Sequence, residues 1–131
     1  MSQENVEIVA RVVEAINTGD LPRELVAPGF ELRNATTAVT DATYHGYEGV
    51  LKWRAELFDV VEDARLVLDE VIAAEDDYVV ILNRLVGRGA SSGAPVDLRW
   101  FSVFWIRAGQ VARTTGFTRR REALEAVGLA G

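Results

Sequence analysis

The spacing of apolar residues changes once along the chain, near Ala64, and this change constrains the fold more than any other feature. Before Ala64, apolar residues such as Val6, Val9, Val13 and Ile16 recur every three or four positions, which is the spacing of one helix face. After Ala64 they alternate with a period of two, which is typical of β-strands. Helices gathered in the first half and hairpin strands in the second indicate the α+β class rather than a doubly wound parallel sheet.

The same spacing and the turn residues place the individual elements. We predict helices over residues 2–18, 21–26, 47–61 and 120–127, and strands over residues 30–35, 65–74, 78–88, 96–107 and 111–118. A small, polar loop is expected between the first strand and the third helix, over residues 36–43. The last four strands follow one another through short turns, so we expect an antiparallel meander.

The composition limits the possible functions. The chain has 131 residues, the size of one domain spanning 1–131, and a formal net charge of −6. This charge removes the electrostatic basis for binding nucleic acid or an anionic membrane. No secretory signal or long apolar run is visible, so we expect a cytoplasmic protein. The chain has no cysteine and one histidine, His45, which excludes thiolate and multi-histidine metal sites, and we expect neither metal nor cofactor.

The long strands are apolar on both of their alternating sets. A sheet of this kind is covered on both faces, and the helices can cover only one of them. Because most soluble oligomers are two-fold dimers, we expect a second copy of the chain on the other face.

Several short motifs follow one another along the whole chain. They are Asn17-Thr18-Gly19-Asp20 after the first helix, Tyr44-His45-Gly46-Tyr47-Glu48-Gly49-Val50 with Trp53 at the third, Gly87-Arg88-Gly89 at a hairpin, Arg107-Ala108-Gly109-Gln110-Val111 at a turn, and residues 121–129 at the end. Together they resemble the SnoaL-like family of the nuclear-transport-factor-2-like superfamily. The resemblance implies a cone-shaped fold, in which a bent antiparallel sheet wraps around three helices and leaves an internal pocket, usually in a homodimer. It also implies a range of functions, from polyketide cyclases, ketosteroid isomerases and epoxide hydrolases to binding modules.

The resemblance to ketosteroid isomerase, counted back from the Gly109 turn, predicts which side of the strand 96–107 faces the pocket. The expected pocket residues are Asp97, Arg99, Phe101, Val103 and Trp105; the expected outer, dimer-forming residues include Trp100, Ser102 and Phe104. Asp97 is then a candidate general base that Arg99 keeps ionised and oriented. The alternative is that the two charges form an ion pair on the surface.

The remaining candidate residues lie around the expected pocket. His45 is a candidate proton shuttle or an ordinary loop histidine. The expected ligand-binding residues are Val9, Val13, Asn34, Tyr44, Trp53, Phe101, Val103, Trp105 and Thr114. The resemblance places Val12, Asn34 and Phe101 at the three functional positions of ketosteroid isomerase, where they cannot do its proton chemistry, so that activity is rejected.

Two hypotheses of function follow. The first is a pocket for a small, largely apolar, oxygenated molecule, in a cofactor-free cyclase, isomerase or hydrolase that uses Asp97, Arg99 and His45. The second is a non-catalytic ligand-binding module, or a dimeric interaction module, of the same fold.

Overall fold

The computed structural model describes residues 2–34 and 43–129, except the side chain of Asn34. Over these ranges the order of elements is α1 (Ser2–Thr18), β1 (Val26–Asn34), β2 (Thr43–His45), α2 (Gly46–Val60), β3 (Val61–Ala74), β4 (Tyr78–Gly89), β5 (Pro95–Arg107), β6 (Gln110–Phe117) and α3 (Arg120–Ala126), with a 3₁₀ turn (Arg23–Leu25) before β1. The α+β class is therefore confirmed. No helix within these ranges is both long and apolar enough to cross a membrane.

Most element boundaries agree with the periodicity, and the differences lie in the first half. The predicted helix over residues 21–26 is only the 3₁₀ turn, and β1 begins at Val26 instead of at Phe30. Pro28 and Gly29 lie within β1, where its register against β6 shifts between Val26 and Glu31. Strand irregularities of this kind accept residues that otherwise end a strand. Apart from its last residue, which begins β2, the predicted loop 36–43 lies outside the described residues.

The six strands form one sheet in the order β2-β1-β6-β5-β4-β3. The meander β3 to β6 is antiparallel as expected. The strands β1 and β6, however, pair in parallel, so the sheet is mixed rather than wholly antiparallel. Apolar alternation does not distinguish the two pairings, and no short turn joins β1 to β6 to fix their relative direction.

The helices lie on both faces of this sheet. The buried residues of α1, with Val50 of α2, share the main core cluster with the inner-facing residues of the strands. The short α3 instead packs its Ala123 against Val80 and Val103 on the outer face. The expectation that the sheet wraps around three helices therefore holds for α1 and α2, and α3 covers part of the opposite face.

The Asn17-to-Asp20 motif joins α1 to the sheet and to α2. The Asn17 side-chain amide donates to the Leu66 carbonyl at 2.8 Å and accepts from the Leu66 N–H at 2.7 Å, as a neighbouring strand would. Arg54 of α2 donates to the carbonyls of Ile16 and Asn17 at the end of α1. Gly19 has a φ of +81°, and a Cβ there would lie 3.1 Å from the Arg54 guanidinium. Glycine is therefore the residue that fits this turn.

Candidate functional site

A cavity lies between the inner face of the sheet and the helices α1 and α2. Its volume is about 60 Å³, several times the roughly 10–15 Å³ that a single water molecule needs. Most of its wall is apolar. The lining residues are Val12, Val13, Ile16, Leu21, Val26, Phe30, Leu32, Arg33, Val50, Trp53, Leu66, Asn83, Trp100, Ser102, Phe104, Val111, Thr114 and Gly116.

The two helices supply one side of this wall. Val12, Val13 and Ile16 belong to the buried stripe of α1, and Val50 and Trp53 lie one turn apart on α2, because side chains three or four positions apart share one helix face. Of the expected ligand-binding residues, Val13 and Trp53 therefore lie on the cavity wall.

The strand β5 presents the opposite set of side chains to the one predicted. Trp100, Ser102 and Phe104 line the cavity, so the prediction that they face outward is wrong. The alternate set, on the other face of the strand, contains Asp97, Arg99, Phe101, Val103 and Trp105.

The inversion has a physical explanation near the β5–β6 turn. The prediction counted residues back from Gly109, and an error of one residue exchanges the two faces of a strand. The register of this hairpin shifts between Trp105 and Ile106, so it is not a regular ladder. The composition of β5 carried a better signal, because the set around Phe104 and Ile106 contains no charged residue.

Three buried polar side chains lie in the sheet wall of the cavity. Asn83 on β4 is 2% exposed and Ser102 on β5 is 4% exposed. The Asn83 Nδ2 donates to the Ser102 Oγ at 2.6 Å. Thr114 on β6, an expected ligand-binding residue, is also buried and lines the cavity. Asn83 and Ser102 were not predicted, although each is the single polar residue among apolar neighbours on its strand face.

The candidate base Asp97 is bound to Arg84 outside the cavity. Arg84 Nε and Nη2 donate to the two Asp97 carboxylate oxygens at 2.9 and 2.8 Å, and the Asp97 side chain is 50% exposed. The hydrogen bond from Arg84 is the largest influence on the Asp97 carboxyl, and it lowers its pKa. Arg99 lies opposite Arg84 in the register of β4 and β5. The structure therefore does not bring Asp97 or Arg99 to the cavity.

The three expected pocket residues that follow on β5 also lie on the outer face. Phe101, Val103 and Trp105 pack in one cluster with Ala123 of α3. The guanidinium of Arg113 lies 4.0 Å from the centre of a Trp105 ring, which is a cation–π contact. These side chains support α3 and do not line the cavity.

Tyr44 and His45 lie on the edge strand β2. The Tyr44 hydroxyl donates to the Glu56 carboxylate, and this hydrogen bond, followed by burial, raises the pKa of the Tyr44 phenol. The His45 Nδ1 lies 4.0 Å from the Glu31 carboxylate, and the His45 side chain is exposed. Neither residue is among those described as lining the cavity.

The last two expected site residues differ in what the structure shows. Val9 is fully buried in the core cluster next to the cavity-lining residues of α1, but it does not itself line the cavity. Asn34 ends β1 opposite Gly116 of β6, and its side chain lies outside the described residues.

Ionisable groups are scarce around the cavity. Of its described lining residues, Arg33 is the single ionisable one, and it is exposed. Nor does the described part of the chain contain a group of three or more histidine, aspartate or glutamate residues that could hold a metal ion. The cavity wall is therefore suited to burying an apolar molecule and to forming a few hydrogen bonds with it.

The family is decided by a comparison with protein-family models. The model of the SnoaL-like domain matches residues 9–114. This chain belongs to the SnoaL-like family. The resemblance seen in the sequence motifs is thereby confirmed, and no curated protein matches the SnoaL-like chain.

Solved structures agree with the family and with its cone-shaped α+β fold. A putative SnoaL-like polyketide cyclase from Jannaschia sp. CCS1 is 28% identical, with a TM-score of 0.74 over 96% of this chain and 90% of its own. Bal32a, from a soil-derived mobile gene cassette, is 20% identical, with a TM-score of 0.76 over 95% and 96%. A hypothetical protein of ketosteroid isomerase-like fold from Catenulispora acidiphila DSM 44928, in complex with trimethylamine, is 19% identical, with a TM-score of 0.72 over 94% and 93%. SnoaL-like domains commonly bind small molecules or catalyse cyclase and isomerase reactions.

Proposed function

We propose that this chain binds a small, largely apolar molecule that carries oxygen, inside the cavity between the sheet and the helices α1 and α2. The observation that carries this proposal is the composition of the wall. In the described wall, apolar side chains surround the buried hydrogen-bonded pair Asn83 and Ser102 and the buried Thr114. Ligand pockets typically combine an apolar lining with a few placed polar groups.

The size of the cavity favours a compact ligand. A volume of about 60 Å³ is smaller than the roughly 150 Å³ of an engineered cavity that holds benzene, so a ligand of one ring enters only if half-buried side chains of the wall, such as Trp53 and Trp100, move outward. Its burial then gains roughly 25 cal/mol for each Å² of apolar surface removed from water. The rings of Trp53 and Trp100 lie in the wall, so an aromatic or alicyclic ligand would contact them directly.

We favour binding without catalysis over the cyclase, isomerase or hydrolase hypothesis. General acid–base catalysis needs a proton donor or acceptor within hydrogen-bond reach of the substrate. Asp97, the candidate base, lies on the opposite face of β5 and is held by Arg84. The alternative interpretation was a surface ion pair of Asp97 with Arg99; we propose a surface ion pair for Asp97, with Arg84 as its partner instead of Arg99.

We also propose a homodimer through the outer face of the sheet. The half-buried rings of Phe101, Trp105 and Phe117 lie on this face beside α3, and a second copy would remove them from water. These residues differ from the dimer-forming residues expected from the sequence, because the face of β5 predicted to be outer lines the cavity instead.

Toluene is the probe that tests the cavity itself. We expect toluene to raise the thermal midpoint of the wild-type chain and to change its tryptophan fluorescence, because Trp53 and Trp100 line the cavity. Val13→Phe fills space at the wall, so toluene should no longer bind to that variant. Val60→Phe is the matched control, because Val60 is 59% exposed and the same substitution there leaves the cavity unchanged. Absence of any toluene effect on the wild-type chain would refute the proposed function.

A further inference from the structure

We infer that the Asn83–Ser102 pair selects a neutral ligand. The pair donates a hydrogen bond to an oxygen atom of that ligand. This inference rests on the proposed function, and it adds the chemical class of the ligand and its orientation in the cavity. The oxygen would lie against the sheet, and the apolar body would point toward α1 and α2.

The position of the pair within the sheet is the first support. Asn83 on β4 lies opposite Trp100, and Ser102 is the next residue of β5 on the same face. Ser102 in turn lies opposite Gly116 on β6, two residues from Thr114. The polar groups therefore form a diagonal across three central strands, at the spacing at which diagonal neighbours on one sheet face interact.

The count of protons in the pair is the second support. An asparagine amide has two N–H donors and a serine hydroxyl has one O–H donor. The 2.6 Å hydrogen bond between Asn83 and Ser102 uses one of these three protons, whichever way the amide is oriented. Two donors remain on a wall that is otherwise largely apolar, so the pair can donate to a carbonyl or hydroxyl oxygen of a ligand.

The third support is the distribution of charge around the cavity, which favours an uncharged ligand. A carboxylate or an ammonium group is costly to bury unless a group of opposite charge accompanies it. The described cavity wall contains no carboxylate, and its one cation, Arg33, lies opposite Thr115 in the register of β1 and β6. Thr115 belongs to the outer set of β6 because it lies opposite Val103. Arg33 is thus an exposed residue of the wall, and its solvated charge compensates a carboxylate buried against Asn83 and Ser102 only weakly.

Phenol, toluene and benzoate are the probes that separate this inference from the proposed function. Phenol and toluene have nearly the same shape and differ by one hydroxyl, and benzoate adds a negative charge. In a wall without polar partners, the phenol hydroxyl would weaken binding roughly ten- to hundredfold relative to toluene. We expect the wild-type chain instead to bind phenol at least as tightly as toluene at pH 7, and to bind benzoate much more weakly than phenol.

Two variants and one control complete the experiment. Ser102→Ala removes one partner, and the double variant Asn83→Leu/Ser102→Ala replaces both by apolar groups, which preserves folding better because no buried amide is left unpaired. In the double variant phenol affinity should fall about tenfold, the equivalent of one hydrogen bond, while toluene affinity is retained. Thr115→Ala, a buried threonine on the outer face, should change neither affinity.

Each outcome is decisive. If toluene binds, but the ratio of phenol affinity to toluene affinity is the same in the wild-type chain and in the double variant, this inference is overturned. The proposed function then remains intact. Benzoate binding as tight as phenol binding would overturn the neutral class. If toluene itself fails to bind the wild-type chain, the proposed function falls, and this inference falls with it.

Discussion

Asn17→Ala tests whether one side chain joins the helix α1 to the edge strand β3. Within the described part of the chain, β3 is the last strand of the sheet and pairs only with β4, so its other edge has no neighbouring strand there. The Asn17 amide makes two hydrogen bonds to the backbone of Leu66 at this edge, at 2.8 and 2.7 Å. Leu66 is 5% exposed, so water does not readily replace the lost partner.

The expected loss of stability follows from these two hydrogen bonds. Each contributes about 1 kcal/mol net, and a buried backbone group left without a partner costs about 1–3 kcal/mol, so we expect the free energy of unfolding to fall by roughly 2–4 kcal/mol. An unfolding entropy of about 2.1 cal/mol/K per residue over 131 residues converts this into a thermal midpoint lower by roughly 7–15 °C.

Urea and thermal unfolding followed by circular dichroism measure this effect. Gln3→Ala is the control, because Gln3 is an exposed residue of the same helix. Asn17→Asp should also be less stable than the wild-type chain, since its carboxylate cannot donate to the Leu66 carbonyl and lies beside the Glu14 carboxylate. If Asn17→Ala is as stable as Gln3→Ala, the reasoning that this amide replaces a missing strand is refuted.

The remaining predictions concern the outer face. Trp105→Ala should lower the free energy of unfolding by about 2–3 kcal/mol, less than for a fully buried tryptophan, and leave toluene affinity unchanged; weakened toluene binding would contradict the assignment of the faces. In the folded wild-type chain, Arg84 lowers the pKa of the Asp97 carboxyl. The stability that this pair contributes is therefore present above the ordinary pKa of 3.8 and is lost as pH falls through the lower folded value. Asp97→Asn removes this contribution. The variant should be slightly less stable than the wild-type chain at pH 7 and equal to it in strong acid by urea unfolding, and a difference that persists in strong acid would refute the assignment to this ion pair. Sedimentation at micromolar concentration should show a species of twice 14.4 kDa, and a chain that remains at 14.4 kDa would contradict the dimer.

The sequence predicts what depends on local spacing. The stripe that contains Val9 and Ile16 predicts α1 with the bounds that the structure shows, and the alternation after Ala64 predicts the four-strand meander. Both signals repeat many times within one element, so an error at one residue does not change the result.

What depends on pairing between distant strands is not predictable in the same way. The parallel pairing of β1 with β6 leaves no local signature, because both strands show ordinary apolar alternation. The assignment of Asp97 to the pocket depended on a count of residues from a turn, and one residue decides between the two faces. In the sequence, Asn83 and Ser102 stand out only as single polar residues on otherwise apolar strand faces. Their hydrogen bond depends on the register between β4 and β5, which local spacing does not predict.

The pairing of β1 with β6 also bears on how the nascent chain acquires its fold. β1 is made well before its partner β6, because three long strands of the meander lie between them in the chain. Until then β1, whose Phe30 and Leu32 line the cavity, can pair only with the short β2 on one side, and its other edge waits for contacts that are distant in sequence and form slowly. The cavity is therefore completed only after β6 has been made, and a chain truncated before β6 would expose an unpaired, apolar strand edge that favours aggregation.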